Sequence, residues 1–368
     1  MPSLAISRDR IYLYGAALVA VGLCALLIAA RWQTDWIAFR TGGTLAGHPD
    51  LLDPRRYPVV SFVYPPGVAW LFVPAAMLPT TAGFYMNAVF MLGVCAIAGT
   101  IAARVYNLSI PFAALAVFAW VPATQAGFLG QFTPVALALT LLAILGLVRR
   151  NDFLAGVAIG LLLYKPTDAV PFVLLVLVRR EWRVLAIVGG ISLAWYVAGV
   201  AATAFDWNWP AHYLAMLRGY YAAEFARTAL KTVSLPGLLV YAGASPATAT
   251  LASLLLLLCA IPRFARSSML AAASMAPLVG LASSVHAYMY EAVLVLPALF
   301  YAMTQTPEPW RTRFVVAAYV IAPMWVFGPW IRFDPLAIVV LAGAGLWIAG
   351  AFPAADPIRR PTLKGSAT

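Results

Sequence analysis

From Ile11 to Ala30 the chain runs twenty residues without a charged side chain. At 1.5 Å per residue that is enough helix to cross a hydrocarbon layer of about 30 Å. Similar runs recur to the C-terminal end, and this repetition limits the fold more than any motif does. Inside a bilayer every backbone N–H and C=O must be satisfied within the segment, so repeated apolar runs of this length read as helices. With 63% hydrophobic and 10% charged residues among 368, and a mean hydropathy of +0.88, an ordinary soluble globule is excluded. The expected class is all-α, a polytopic transmembrane helical bundle. The first run has no small-residue cleavage site after it, so it reads as a retained helix rather than a signal peptide.

Apolar runs broken by Pro and charge place about twelve spans, near 11–30, 82–103, 111–129, 132–148, 153–164, 167–178, 184–203, 245–261, 268–285, 288–304, 312–330 and 335–352. Both termini then fall on one side. The segments on that side hold 15 basic and 5 acidic residues, a balance of +10, against 9 and 8, or +1, on the other. Short cytoplasmic loops retain Lys and Arg, so the first side is cytoplasmic. Two stretches decide the count. A single crossing between Arg150 and Arg179 would move one basic cluster outside, whereas two short helices turning at Lys165-Pro166 keep both inside. The stretch 59–79 follows Pro58, carries Pro65, Pro66, Pro74 and Pro79, and reads as a juxtamembrane segment along the outer interface. Residues 1–352 then form a single transmembrane domain. Its first extracytoplasmic loop (31–81) carries juxtamembrane helices, and a second, aromatic-rich loop (205–234) suits a helix at headgroup level. Residues 353–368 read as a disordered cytoplasmic tail.

This topology gathers Asp35, Gln131, Lys165, Asp168, His286 and Glu291 on the outer side. An ionisable group within a span costs roughly 3 kcal/mol on insertion scales, so each needs a partner, a wet cavity or a function. Asp35 answers two descriptions: a general base for an attacking hydroxyl, or a helix-end acid paired with Arg31 or Arg40. Lys165 suits a phosphate, since an ion pair at 4 Å is worth about 4 kcal/mol at an effective dielectric of 20; the plain alternative is neutralisation by Asp168 one turn away. His286 reads either as a hydrogen-bond donor to a leaving phosphate or as an interfacial histidine. Gly130-Gln131 offers an amide for sugar hydroxyls, or simply a turn. His48, His212 and His286 have no metal-ligand spacing, and the acids are too few for a divalent cage. Cys24, Cys95 and Cys259 lie in separate apolar runs. No GxGxxG or GxxxxGK[ST] loop is present. The basic residues punctuate the apolar runs instead of forming a nucleic-acid patch.

In this order the residues resemble glycosyltransferase family 87, membrane enzymes of the GT-C superfamily. The resemblance starts at Asp35-Trp36, with Phe39, Gly42, Leu45 and Gly47. It continues through Leu52-Asp53-Pro54, Phe62-Val63-Tyr64-Pro65-Pro66, Leu78-Pro79, Gly130-Gln131, Gly156, Gly160, Lys165-Pro166 and Arg179-Arg180-Glu181-Trp182-Arg183. It closes on Ser284, His286, Tyr290-Glu291 and Leu296-Pro297. It implies inverting transfer of a hexosyl group, typically mannosyl, from a polyprenyl-phosphate-linked donor to a lipid or glycan acceptor. The site would be an outward-facing one in the bacterial inner membrane. Asp35 matches the family's catalytic acid, Lys165 and His286 would bind the donor phosphate, and Gln131, Tyr64, Tyr290 and Glu291 would bind sugar or acceptor. Glu291 stands where the family more often has Asp. No metal or other cofactor is expected; the partners are the lipid-linked sugar, the acceptor and membrane lipids. A transporter or flippase of a lipid-linked sugar is the rival reading; no internal repeat favours it.

Overall fold

A computed structural model describes residues 11, 12, 14, 15, 17–19, 21, 22, 33–228, 231–284, 286–306, 310–327 and 333–351. The described residues between 11 and 22 are helical. The rest of the first expected span, Arg31, and the 353–368 tail lie outside the described residues. In chain order the α-helices that follow are α1 (Thr34–Thr44), α2 (Thr80–Tyr106), α3 (Ile110–Phe118), α4 (Val121–Leu129), α5 (Thr133–Val148), α6 (Asp152–Leu162), α7 (Pro166–Val178), α8 (Trp182–Ala202) and α9 (Trp209–Thr228). They continue with α10 (Leu235–Tyr241), α11 (Pro246–Arg266), α12 (Met269–Ser283), α13 (Leu296–Gln305), α14 (Trp310–Ile321) and α15 (Leu336–Ile348). Among the described residues there is no β-strand, only an isolated bridge between Thr232 and Tyr288.

By length and apolarity α2, α8 and α11 can each cross a membrane alone. The expected span 111–129 is not one straight helix: α3 and α4 meet at Trp120 with a bend of 59°. Pro122 explains the break, because it lacks an N–H and its ring clashes with the carbonyl four residues back. Trp120 secures the corner by donating its indole N–H to the Ala292 carbonyl at 2.9 Å. The expected helix 288–304 is likewise composite, a 3₁₀ segment Met289–Val295 leading into α13 at Leu296-Pro297. The stretch 312–330 divides into the end of α14 and a 3₁₀ segment Ala322–Phe327. Between 59 and 79 the backbone forms a 3₁₀ segment Pro66–Phe72 and one α-turn Val73–Ala76. Together these span too few residues to cross.

The Lys165-Pro166 turn follows from helix packing. A Cβ at Gly156 would meet Ile187, and one at Gly160 would meet Ile191. Trp195 donates to the Gly160 carbonyl at 3.1 Å. The contacts advance together along both chains, so α6 and α8 run parallel with their starts level. The helix between them, α7, must return. Arg149-Arg150 and Arg179-Arg180-Glu181-Trp182-Arg183 therefore lie at one end of the bundle, and Lys165 lies about 16 Å away along α6. Arg179 joins neighbouring helices at the basic end, donating to the Phe264 carbonyl at 2.6 Å and also to the Ser267 carbonyl. Small residues permit these close approaches, as at Gly146, where a Cβ would sit 2.5 Å from the Ala155 nitrogen.

Candidate active site

The end of the bundle opposite the basic clusters is built around α1. Asp35 lies in its first turn, where the helix dipole favours a negative charge. Trp36, 1% exposed, donates to the Thr80 carbonyl at 3.2 Å. Phe39 stacks on Phe72 with ring centres 4.7 Å apart, and Gly42 and Gly43 let Phe62 and the Phe72 carbonyl approach the helix backbone. The position of Asp35 is therefore set by packing on three sides. Of the two arginines that could pair with it, Arg40 instead donates to the Leu78 carbonyl at 3.2 Å.

The turn after α4 meets α1 directly. Gly130 has a left-handed backbone, φ 75°, and a Cβ there would stand 2.6 Å from the Trp36 Cβ. Both constraints demand glycine. Asn87 of α2 donates to the Gly130 carbonyl at 3.2 Å. With the turn held in this way, Gln131 donates through Nε2 to Oδ2 of Asp35 at 2.6 Å. The Tyr64 hydroxyl donates to Oε1 of Gln131 at 3.0 Å. Burial first, then the carboxylates of Glu291, Asp35 and Asp168, raise the Tyr64 phenol well above its ordinary range, so it keeps its proton and donates. Its ring stacks on Tyr164 at 5.9 Å, and Tyr164 donates to the Phe132 carbonyl at 2.9 Å, which joins the Lys165 turn to the Gln131 turn.

Lys165 immediately precedes α7, and its ammonium forms an ion pair with Glu291 of the 3₁₀ segment. It also lies 5.8 Å from the centre of the Tyr290 ring. The alternative local partner, Asp168, sits one turn along α7 but is not the ion-pair partner. It is 6% exposed, its Oδ1 is 3.4 Å from the Thr167 hydroxyl, and its Oδ2 has no hydrogen-bond partner among the described residues. Glu291, 1% exposed, serves here as the counter-ion of Lys165. His286 occupies a bend outside the helices and not a helical turn. It lies among Tyr288, Tyr221 and Tyr220, with ring centres at 4.2, 5.2 and 6.2 Å. Burial and the Lys165 ammonium hold its imidazole well below the usual range, so it is a neutral hydrogen-bonding group.

The structure thus brings Asp35, Tyr64, Gln131, Lys165, Tyr290 and Glu291 together, with His286 on the aromatic margin. Sequence reasoning missed Asn87, a lone amide inside an apolar run, and Tyr164, whose role depends on a stacking partner a hundred residues earlier in the chain. Asn87 was visible as an anomaly, whereas nothing local marked Tyr164.

An all-helical membrane protein that sets an acid, an amide, a phenol and a lysine in one buried centre has the groups for acid–base and anion chemistry. Residues 62–297 match glycosyltransferase family 87, more than half of the chain. The chain belongs to that family and is a glycosyltransferase. The matched range contains each of the gathered residues except Asp35, which precedes it. No curated protein and no solved structure matches the chain.

Proposed function

We propose that this chain transfers a hexosyl group, in the first instance mannosyl, from a polyprenyl-phosphate-linked donor to a hydroxyl of a lipid or glycan acceptor, inverting the anomeric carbon. In this reading the chemistry takes place at the outer face of a bacterial inner membrane, within about twelve crossings and with both termini cytoplasmic. The observation that carries the proposal is the joining of Asp35 and Lys165 in one centre, through Tyr64, Gln131 and the stacked Tyr164.

The acceptor oxygen attacks the anomeric carbon and gives its proton to Asp35, while the bond from that carbon to the phosphate oxygen breaks and the phosphate leaves with the electron pair. Lys165 stabilises the departing charge. An ammonium has three N–H donors, of which one is directed to Glu291, and the remainder suit phosphate oxygens. His286, neutral, hydrogen-bonds the same phosphate, and Tyr290 borders the sugar. The leaving group is a single phosphate that receives hydrogen bonds from Lys165 and His286, so the reading calls for no metal.

The test is transfer by purified protein in detergent, supplied with a panel of labelled polyprenyl-phosphate sugars and a membrane-lipid acceptor fraction. A glycosidic product is expected, with turnover in Asp35→Asn reduced about 100- to 10,000-fold and donor binding retained. Normal turnover in Asp35→Asn would refute the base assignment. Failure to form product from any donor, with vesicle transport intact, would favour the flippase.

A further inference from the structure

We propose that Tyr64 and Gln131 are positioning residues for Asp35, a two-step hydrogen-bond relay that aims the base, and that neither recognises the transferred sugar. The inference rests on reading Asp35 as the base. It assigns the two side chains a task different from the sugar or acceptor contact that the sequence suggests for them.

A protonated phenol can donate, and an amide oxygen can only accept, so the 3.0 Å bond from Tyr64 fixes which end of the Gln131 amide faces away from it. That end is the NH₂ group, and it meets Oδ2 of Asp35 at 2.6 Å. With the amide reversed, two acceptors, its oxygen and the carboxylate, would face each other, while the phenol would accept from the NH₂ instead of donating. The Asp35 carboxylate excludes that orientation, and the Tyr64 donor satisfies the amide oxygen in the one that remains. This is the arrangement of a base held by a third group.

Burial and packing agree. Gln131 is 5% exposed and Tyr64 6%, leaving little of either for a substrate. The Tyr64 ring is clamped by the stacked Tyr164 and the edge of Phe39, whose ring centre is 5.2 Å away. The Gln131 backbone is fixed by Gly130 against Trp36, the neighbour of Asp35. Tyr64, Gln131 and Asp35, on three segments distant in sequence, thus form one hydrogen-bonded chain that ends at Oδ2.

The test uses purified full-length protein, a polyprenyl-phosphate hexose that supports transfer, and donor analogues each lacking one sugar hydroxyl. Tyr64→Phe and Gln131→Met keep side-chain size and remove the bonds. Gln131→Met is expected to lower kcat roughly 10- to 100-fold, the loss of a hydrogen bond to a charged group, and Tyr64→Phe roughly 2- to 10-fold, the loss of one between neutral groups, each with donor KM within about twofold. The double variant should be no worse than Gln131→Met alone, because the Tyr64 bond acts only through the amide. The Gln131→Met penalty should be the same on the complete donor and on every deoxy donor. The relay is overturned if that penalty vanishes on one deoxy donor, if the loss appears in donor KM, or if the two substitutions act additively. Asp35→Asn separates the two levels: normal turnover there removes the base itself, whereas an inactive Asp35→Asn beside unaffected relay variants removes only the relay.

Discussion

Gly130→Ala is the substitution that most directly tests whether packing of the α4 turn against α1 sets the chemistry. An added Cβ would lie 2.6 Å from the Trp36 Cβ, with the Trp36 Cα at 3.3 Å and nitrogen at 3.4 Å. These are root and backbone atoms, which no rotamer change moves aside. Ordinary contact begins near 3.4 Å, so α1 and the turn must separate by about 0.8 Å. Left-handed backbone adds about 1–2 kcal/mol for a residue with a Cβ, and overpacking adds about 1–3 kcal/mol. A total cost of about 2–5 kcal/mol is survivable for a domain with typical stability of about 5–15 kcal/mol. Trp36 adjoins Asp35, and Gln131 adjoins Gly130, so the same separation lengthens the 2.6 Å bond between their side chains. Misplacement of a reacting group by about 1 Å costs on the order of 100-fold in rate. The assay is kcat per folded molecule at saturating donor and acceptor, with unfolding in mixed micelles measured in parallel. Gly190→Ala in α8 is the control, since no atom lies within 4 Å of its added Cβ and Ala is about 1 kcal/mol better than Gly in a helix. Wild-type kcat in folded Gly130→Ala would refute the reasoning, as would a loss explained wholly by reduced folded protein.

The Lys165–Glu291 pair should show strong non-additivity in stability. Lys165→Met strands the Glu291 carboxylate, whose side chain is 2% exposed, and should cost about 3–5 kcal/mol; the Lys165→Met, Glu291→Leu double variant should fall within about 1 kcal/mol of wild type in micelle unfolding. Additive single losses would show that the pair is not energetically coupled. At the other end of the bundle, Arg179→Met removes the donor to the Phe264 and Ser267 carbonyls and should destabilise by about 1–3 kcal/mol, with kcat per folded molecule unchanged. A loss of kcat there would mean that the helix ends communicate with the site.

Much of the helical plan was legible because bilayer chemistry is a strong filter on composition. The α2, α5 to α8, α11, α12 and α15 helices begin and end within a few residues of the breaks set by charge and proline. The short return at Lys165-Pro166 followed from keeping two basic clusters on one side, and the parallel packing of α6 and α8 agrees with it. The bend between α3 and α4 was misjudged although Pro122 marks it, because an uninterrupted apolar run outweighs a single proline in a hydropathy reading. In the site, the sequence supplied the list of polar residues but not their pairing. Asp168, one helical turn away, was the local alternative for Lys165; the ion pair goes instead to Glu291, carried in by a 3₁₀ segment 126 residues later.

Apolar run lengths and the charge balance, by themselves, determined that this is an all-helical membrane protein, because each is a local sum that needs no partner. The family resemblance was also readable, from short blocks in order. Only the tertiary structure decided which carboxylate faces Lys165, and which side chains hold Asp35. Those choices are fixed by close approaches, such as Gly130 on Trp36 and Tyr64 on Tyr164, between segments far apart in the chain. A hydrogen bond requires its atoms to meet within a few tenths of an ångström, and only the packed bundle supplies that precision.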